Sequence, residues 1–199
     1  QREVDTIAAN FGLDRGASID YEGHGSNGIE YADREYYKAA MEGKTTITEP
    51  MIGRSNGKLS VIIAAPIWKN GELNTEVVGC VYFVPDEEFL NDVVRAIKVN
   101  ENGAAYIIDK NGNTIADIDM QLVRDGENIQ KIAEEDTNYT ALAQAHEKME
   151  AGETGFAEYV SGGISKYIGY APISGTNGWS IAVTVHSDDY MVHCFRGLI

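Results

Sequence analysis

Twice along the 199 residues the same order of elements recurs: a strand, a helix and a three-stranded meander. A repeat of that length constrains the fold more than any single motif, because each copy has to close a core of its own. In the first copy residues 17–21 read as a short strand, 22–28 as a glycine-rich loop and 33–43 as a helix. Strands follow at 45–52, 59–68 and 76–84, separated by turns at 54–58 and 69–72, and Asn56-Gly57 between two apolar runs is a strong hairpin signal. Pro85-Asp86 then opens a helix to Ile97, with Phe89, Leu90, Val93, Val94 and Ile97 as its apolar face. The second copy reads as strands at 104–109 and 114–118, a helical region at 129–150, and a meander of 156–160, 166–172 and 179–185. Matching fragments tie the copies together. Ile19-Asp20-Tyr21-Glu22-Gly23 parallels Ile108-Asp109-Lys110-Asn111-Gly112, and Met41-Glu42-Gly43 parallels Met149-Glu150-Ala151-Gly152. Ala65-Pro66-Ile67 parallels Ala171-Pro172-Ile173, and the closing strand at 77–84 parallels that at 179–185. The expectation is an α+β chain of two tandem units that meet near residues 99–102.

Size permits this, since 199 residues can bury one large core or two small ones. Charge narrows the choice of partners. With 16 basic against 31 acidic residues, a net charge of −15, and no basic run, the chain suits neither nucleic acid nor an anionic membrane surface. Its longest apolar run, 61–67, falls far short of the roughly 20 residues that cross a bilayer, so membrane attachment is expected only through helices outside this chain. Residues 1–10, with Val4, Ile7 and Ala8 on one face, and residues 188–199 read as helices cut short, as in a piece of a longer protein. Cys80 sits in a strand-like run and Cys194 near the C-terminus, with no reason to pair and no metal-type neighbour.

The stretch from Tyr31 to Pro50 looks shaped to hold something. Asp33 is a good N-cap and Gly43 a natural stop, so Arg34, Tyr37 and Met41 fall on one face of the helix between them. A guanidinium at the head of an aromatic stripe can fix the anionic or carbonyl end of a small molecule. The same spacing also fits an ordinary core, with Arg34 paired to Glu30 or Glu35 in water.

Enzymatic signatures are missing. Residues 23–28 spell G-x-G-x-x-G, but the next helix opens about five residues too late to aim its N-terminus at a pyrophosphate. The histidines His24, His146, His186 and His193 show no metal-ligand spacing. Asp109-Lys110-Asn111-Gly112-Asn113 resembles a calcium loop but has Thr114 and Met120 where glycine and the closing glutamate belong, so a turn is expected. No G-x-S-x-G elbow or phosphate loop occurs, and Glu134-Glu135 reads as a solvated helix face. No catalysis, metal or cofactor is expected.

Taken together, Asp33-Arg34-Glu35-Tyr36-Tyr37, Thr48-Glu49-Pro50, Ala64-Ala65-Pro66-Ile67, the run from Gly103 to Gly112, Met149 to Gly155, and Tyr170-Ala171-Pro172-Ile173 with Asn177-Gly178-Trp179 resemble a double Cache domain. This is the extracytoplasmic sensor module of bacterial methyl-accepting chemotaxis receptors and related histidine kinases. The resemblance implies two tandem PAS-like (Cache) subdomains, each an antiparallel sheet flanked by helices, on an N-terminal helix mostly missing here. It implies a membrane-distal, ligand-binding subdomain at 1–98, and a membrane-proximal one at 99–199 that begins the C-terminal signalling helix. A homodimeric full-length receptor is implied as well. The family's amino-acid-binding subgroup carries Arg-x-Trp-Tyr at the helix start, Tyr-x-Asp after Glu-Pro and an Asp on the last distal strand. Arg34 and Tyr37 match and Tyr36 replaces the Trp, but Met51, Gly53 and Val84 occupy the later positions. Without those acids an α-ammonium would be buried uncompensated, so a carboxylate or a nucleobase-like solute is expected in place of a free amino acid. The candidate ligand-binding residues are Arg34, Tyr36, Tyr37, Tyr82, Met51, Tyr21 and Val84. The alternatives are a sensor for a histidine kinase or diguanylate cyclase output, or a partner-binding module without a small ligand.

Overall fold

The computed structural model of the protein describes residues 1–54, 57, 59–85, 89–97 and 100–189. The chain divides into two compact lobes, residues 1–89 with 175–177, and residues 90–174 with the chain from Gly178 onward. In the first lobe α1 (Arg2–Asn10) precedes β1 (Arg15–Asp20), α2 (Glu35–Met41), β2 (Thr46–Ile47), β3 (Met51–Ile52), β4 (Leu59–Ser60), β5 (Ile63–Trp68) and β6 (Val77–Val84). An antiparallel sheet runs in the order β1-β6-β5-β2, and β3 and β4 pair separately.

Alternation along β6 buries Cys80, Tyr82 and Val84 on one face, in the core that α2 completes. Tyr82 stands in register with Ala17 on β1 and with Ala64 on β5. Methyl groups on both flanks leave lateral room, and Tyr31, Tyr36, Tyr37 and Ala40 fill it. The glycine-rich loop serves the same core. A Cβ at Gly25 would stand 2.6 Å from the Tyr31 ring, and one at Gly23, where φ is +98°, would stand 2.6 Å from the Cβ of Ala32. Glycine is required there for close approach, which accounts for the motif without a nucleotide.

Beyond α3 (Phe89–Ala96), the second lobe contains β7 (Ala104–Ile108), β8 (Thr114–Ala116), α4 (Met120–Asp125), α5 (Ile129–Glu135), α6 (Thr140–Glu150), β9 (Gly155–Ser161), β10 (Ile164–Pro172) and β11 (Ser180–His186). Its antiparallel sheet has the order β8-β7-β11-β10-β9, so β7-β11-β10-β9 repeats β1-β6-β5-β2 position for position. Local chemistry repeats too. One oxygen of Asp20 accepts from the backbone N–H groups of Glu22 and His24 at 2.9 Å each, and one oxygen of Asp109 accepts from those of Asn111 and Asn113 at 2.8 and 2.9 Å. The Asp109 segment is therefore a turn, as expected. α6 buries Leu142, Ala143, Ala145, His146 and Met149, a stripe at helical spacing against the sheet.

The α+β reading with two antiparallel sheets holds, and several details differ. α4 was not anticipated; it starts where the Asp119 carboxylate accepts from the N–H of Gln121 at 2.9 Å. The helical region 129–150 is broken at Thr137–Tyr139, where Asp136 accepts from the N–H of Asn138 and starts a new turn. α3 buries Leu90, Asn91 and Val94, leaving Phe89 and Val93 exposed. The strand read at 45–52 is two short ones in different sheets. Ser55, Asn56 and Lys58 of the first turn, Asp86, the junction residues Lys98 and Val99, and the closing helix past Asp189 lie outside the described residues.

His146 is 1% exposed, and its Nε2 lies 2.8 Å from the Tyr106 hydroxyl. Burial holds its pKa down at about 4, against 6.5 ordinarily. Between those values the unfolded chain binds a proton that the folded one refuses, so protonation costs the fold about 3 kcal/mol as pH falls across the window. Burial raises the pKa of Asp117 and of Glu127 in the same cavity, which acts in the opposite sense, so the comparison must be made against a variant that keeps both. In urea denaturation, the cost of His146→Gln is expected to shrink by about 3 kcal/mol between pH 7 and pH 4. A gap independent of pH would refute a buried neutral imidazole.

Candidate functional site

The start of α2 organises the site. Arg34 takes the extended N-cap position and no side chain caps the helix. Asp33, expected as the cap, is engaged elsewhere. Arg54 donates from both terminal nitrogens to its two oxygens at 2.9 and 2.8 Å, and also to the Glu30 carbonyl at 2.5 Å. A forked, charge-assisted pair outcompetes a single cap bond. It holds the Asp33 carboxyl down at about 2.

Arg34 is half-buried, and its Nε is buried without a hydrogen-bond partner. Glu35 pairs with Lys38, and Glu30 faces His24, so the partners available in sequence do not take it up. An unmet donor on a permanent cation is costly unless something brings an acceptor to it. The helix it heads carries Tyr36 into an aromatic cluster. The Tyr31 ring centroid lies 5.4 Å from that of Tyr82 and 6.4 Å from that of Tyr36, and Tyr36 and Tyr82 are 5.9 Å apart. The hydroxyls of Tyr31 and Tyr82 are 2.8 Å apart, and the Asn27 side-chain amide donates to both, at 2.8 and 3.2 Å. Burial raises the phenol pKa of Tyr36, an effect that the Arg34 and Arg54 charges oppose. Burial also raises that of Tyr82, reinforced by the bond to Tyr31. Tyr36 and Tyr82 are therefore neutral hydrogen-bonding groups at physiological pH.

Of the sequence candidates the structure brings Tyr36 and Tyr82 together, with Arg34 at the head of the helix that carries Tyr36. Met51 and Val84 belong to the surrounding core, as does Tyr37, whose hydroxyl donates to the Tyr21 carbonyl at 2.7 Å. The Tyr21 side chain is 66% exposed and stands outside the group. The expected face of Arg34, Tyr37 and Met41 gives way to one carrying Tyr36, because both adjacent tyrosines and Ala40 are buried. Asn27, Tyr31 and Arg54 were missed: all three come from loop or turn stretches with no periodicity to mark them. Cys80, also in this core, has its thiol pushed up to about 12 by burial and is inert. Among the described residues, Asp20, Glu22 and His24 could offer ligand atoms to a cation. All are exposed, and His24 already lies 3.3 and 3.4 Å from the two carboxylates, its pKa raised first by Glu30.

The family model for Cache domains matches residues 6–192. The chain belongs to the Cache domain family. In chemoreceptors Cache domains are extracytoplasmic sensor domains, not catalytic ones. This Cache chain is 26% identical over 158 residues to the methyl-accepting chemotaxis protein PscA of Pseudomonas syringae pv. tomato, a match covering 78% of the chain and 22% of PscA. It is 27% identical over 169 residues to the methyl-accepting chemotaxis protein TlpA of Bacillus subtilis, covering 84% of the chain and 22% of TlpA. The chain thus spans about a fifth of the length of these relatives. In fold it is similar to the ligand-binding domain of the Pseudomonas fluorescens chemoreceptor CtaA in complex with L-isoleucine, at TM-score 0.70 and 21% identity, covering 96% of this chain and 76% of that one. The ligand-binding domain of Mlp24 with asparagine gives TM-score 0.60 at 17% identity, covering 96% and 75%.

The hydroxyl pair in this Cache core can be tested on stability. Tyr31→Phe and Tyr82→Phe each remove one oxygen of a buried bond and are expected to cost about 1 kcal/mol in urea denaturation. The double variant is expected to cost less than the sum, since each single change leaves the other hydroxyl short of a partner. Strict additivity would show that the two hydroxyls are not coupled.

Proposed function

We propose that this chain is the extracytoplasmic ligand-binding sensor domain of a transmembrane chemoreceptor, and that its first lobe binds a small carboxylate or a planar, oxygen-bearing solute. The observation that carries this reading is Arg34: a half-buried guanidinium with an unmet Nε, at the head of the helix that carries Tyr36 into the cluster of Tyr31, Tyr36 and Tyr82. A carboxylate or ring carbonyl supplies the missing acceptor, and tyrosine faces enclose the remainder. Among the described residues of this lobe no carboxylate is buried, and Asp33 is taken by Arg54, so nothing offers a counter-charge to an ammonium. The chemotaxis names of PscA and TlpA support a receptor output, with transmembrane helices contributed by the longer protein. Binding in the first lobe biases one of two conformations of the receptor, and the signal leaves through the segment that follows β11.

A second reading has its own support: CtaA and Mlp24 were solved with amino acids bound. A similar fold also occurs in the extracellular domain of the histidine-kinase candidate mmHK1S-Z2, at TM-score 0.66 and 21% identity, covering 96% of this chain and 81% of that one, which keeps a kinase output open as an alternative. Titration calorimetry and thermal shift against short-chain carboxylates, nucleobases and amino acids separate the ligand classes. A carboxylate or nucleobase is expected to bind, to stabilise the fold by about 2.7 kcal/mol at 100 times its Kd, and to lose about ten- to a hundredfold in affinity with Arg34→Ala. Binding of amino acids alone, or binding indifferent to Arg34→Ala, would overturn the reading.

A further inference from the structure

The second lobe carries a half-open cavity of about 270 Å³, just below the roughly 300–1,000 Å³ usual for small-molecule sites. Its apolar wall comes from Leu122, Ile129 and Leu142, and the rings of Tyr106, Tyr139 and Tyr159 line it as well. Polar groups converge on the same space: Asp117, Glu127, Lys166 and His146. His146 is 1% exposed; its Nε2 is matched to the Tyr106 hydroxyl and its Nδ1 has no hydrogen-bond partner. A neutral imidazole has one donor and one acceptor nitrogen, so in either tautomer the second nitrogen is left to a ligand or a solvent molecule.

The carboxylates are incompletely served. Asp117 accepts from the N–H of Asp119 at 2.8 Å and from that of Ile118, Glu127 has only a 3.5 Å contact with the Thr114 hydroxyl, and neither is joined to a basic side chain by the ion pairs found among the described residues. Both are driven toward the neutral form, first by burial, and Glu127 in addition by the Asp117 charge. A cation between them would relieve both effects. A metal ion fits poorly, because among the described residues only Asp20, Glu22 and His24 gather at metal-binding distances. An alkylammonium fits better: its charge meets the two carboxylates, its stem lies on the tyrosine faces, and a second polar group reaches His146 or Lys166.

We propose that the second lobe holds a binding site, separate from the one at Arg34, for a small solute bearing a protonated amine, with Asp117 and Glu127 as its counter-charges and His146 fixing its polar end. Free amines and amino-acid zwitterions share that chemistry, and Lys166 at the same cavity decides between them.

Titration calorimetry on the whole chain, with ethanolamine and putrescine as amines, β-alanine as zwitterion and propionate as a control carboxylate, tests this. At least one amine-bearing probe is expected to bind with the same Kd to the natural chain and to Arg34→Ala. Glu127→Gln, and Asp117→Asn with Glu127→Gln together, are expected to weaken it at least tenfold while circular dichroism and the Tm stay those of a folded chain. Tighter binding of β-alanine than of ethanolamine, lost with Lys166→Ala, would assign the zwitterion; the reverse order, unmoved by Lys166→Ala, would assign the free amine. The proposal is overturned if none of the amine probes binds, if propionate binds equally well at the carboxylates, if the Glu127 variants leave Kd unchanged, or if Arg34→Ala abolishes amine binding.

Discussion

Each lobe depends on one long-range pairing, that of its first strand with its last. β1 pairs with β6 and β7 with β11, so chain segments far apart in sequence must meet before either sheet exists. Contacts of that kind are entropically expensive and form late, and they are also what makes each lobe a cooperative unit. Everything described at the candidate site follows from it. β6 reaches the centre of its sheet only through β1, and in that position Tyr82 is flanked by Ala17 and Ala64, with room above for the rings of α2 and its preceding loop.

The repeat and the element order were legible because they are written in periodicities and turn residues. The paired aspartates Asp20 and Asp109 and the helix-ending glycines Gly43 and Gly152 perform the same local bonding in both copies. Side-chain selection at the site was less legible. Asp33 looks like a cap by type and position, yet the better bond available to it comes from Arg54, across a turn whose geometry no local pattern reveals. Helical spacing put Tyr37 beside Arg34. Tertiary packing buried both tyrosines and turned Tyr37 toward the Tyr21 carbonyl, leaving Tyr36 with the cluster. Tyr31 and Asn27 come from an irregular loop, and the close approaches demanded at Gly23 and Gly25 mark that loop as part of a core.

The two lobes share a frame and differ in electrostatics. The first presents a guanidinium nitrogen without an acceptor at the head of a helix that packs into a tyrosine cluster, while the second presents half-buried acids and a neutral histidine around one cavity. The same frame thus carries different side-chain chemistry in its two copies, since function resides in the side chains grafted onto a fold and not in the fold.

Pro66 and Pro172 lie just past the points where the neighbouring strands β2 and β9 stop pairing with β5 and β10. At those sheet margins a residue without an N–H interrupts the row of free backbone donors, so another chain cannot zip on continuously. The duplicated proline thereby closes the same free strand margin to edge-to-edge pairing in both lobes.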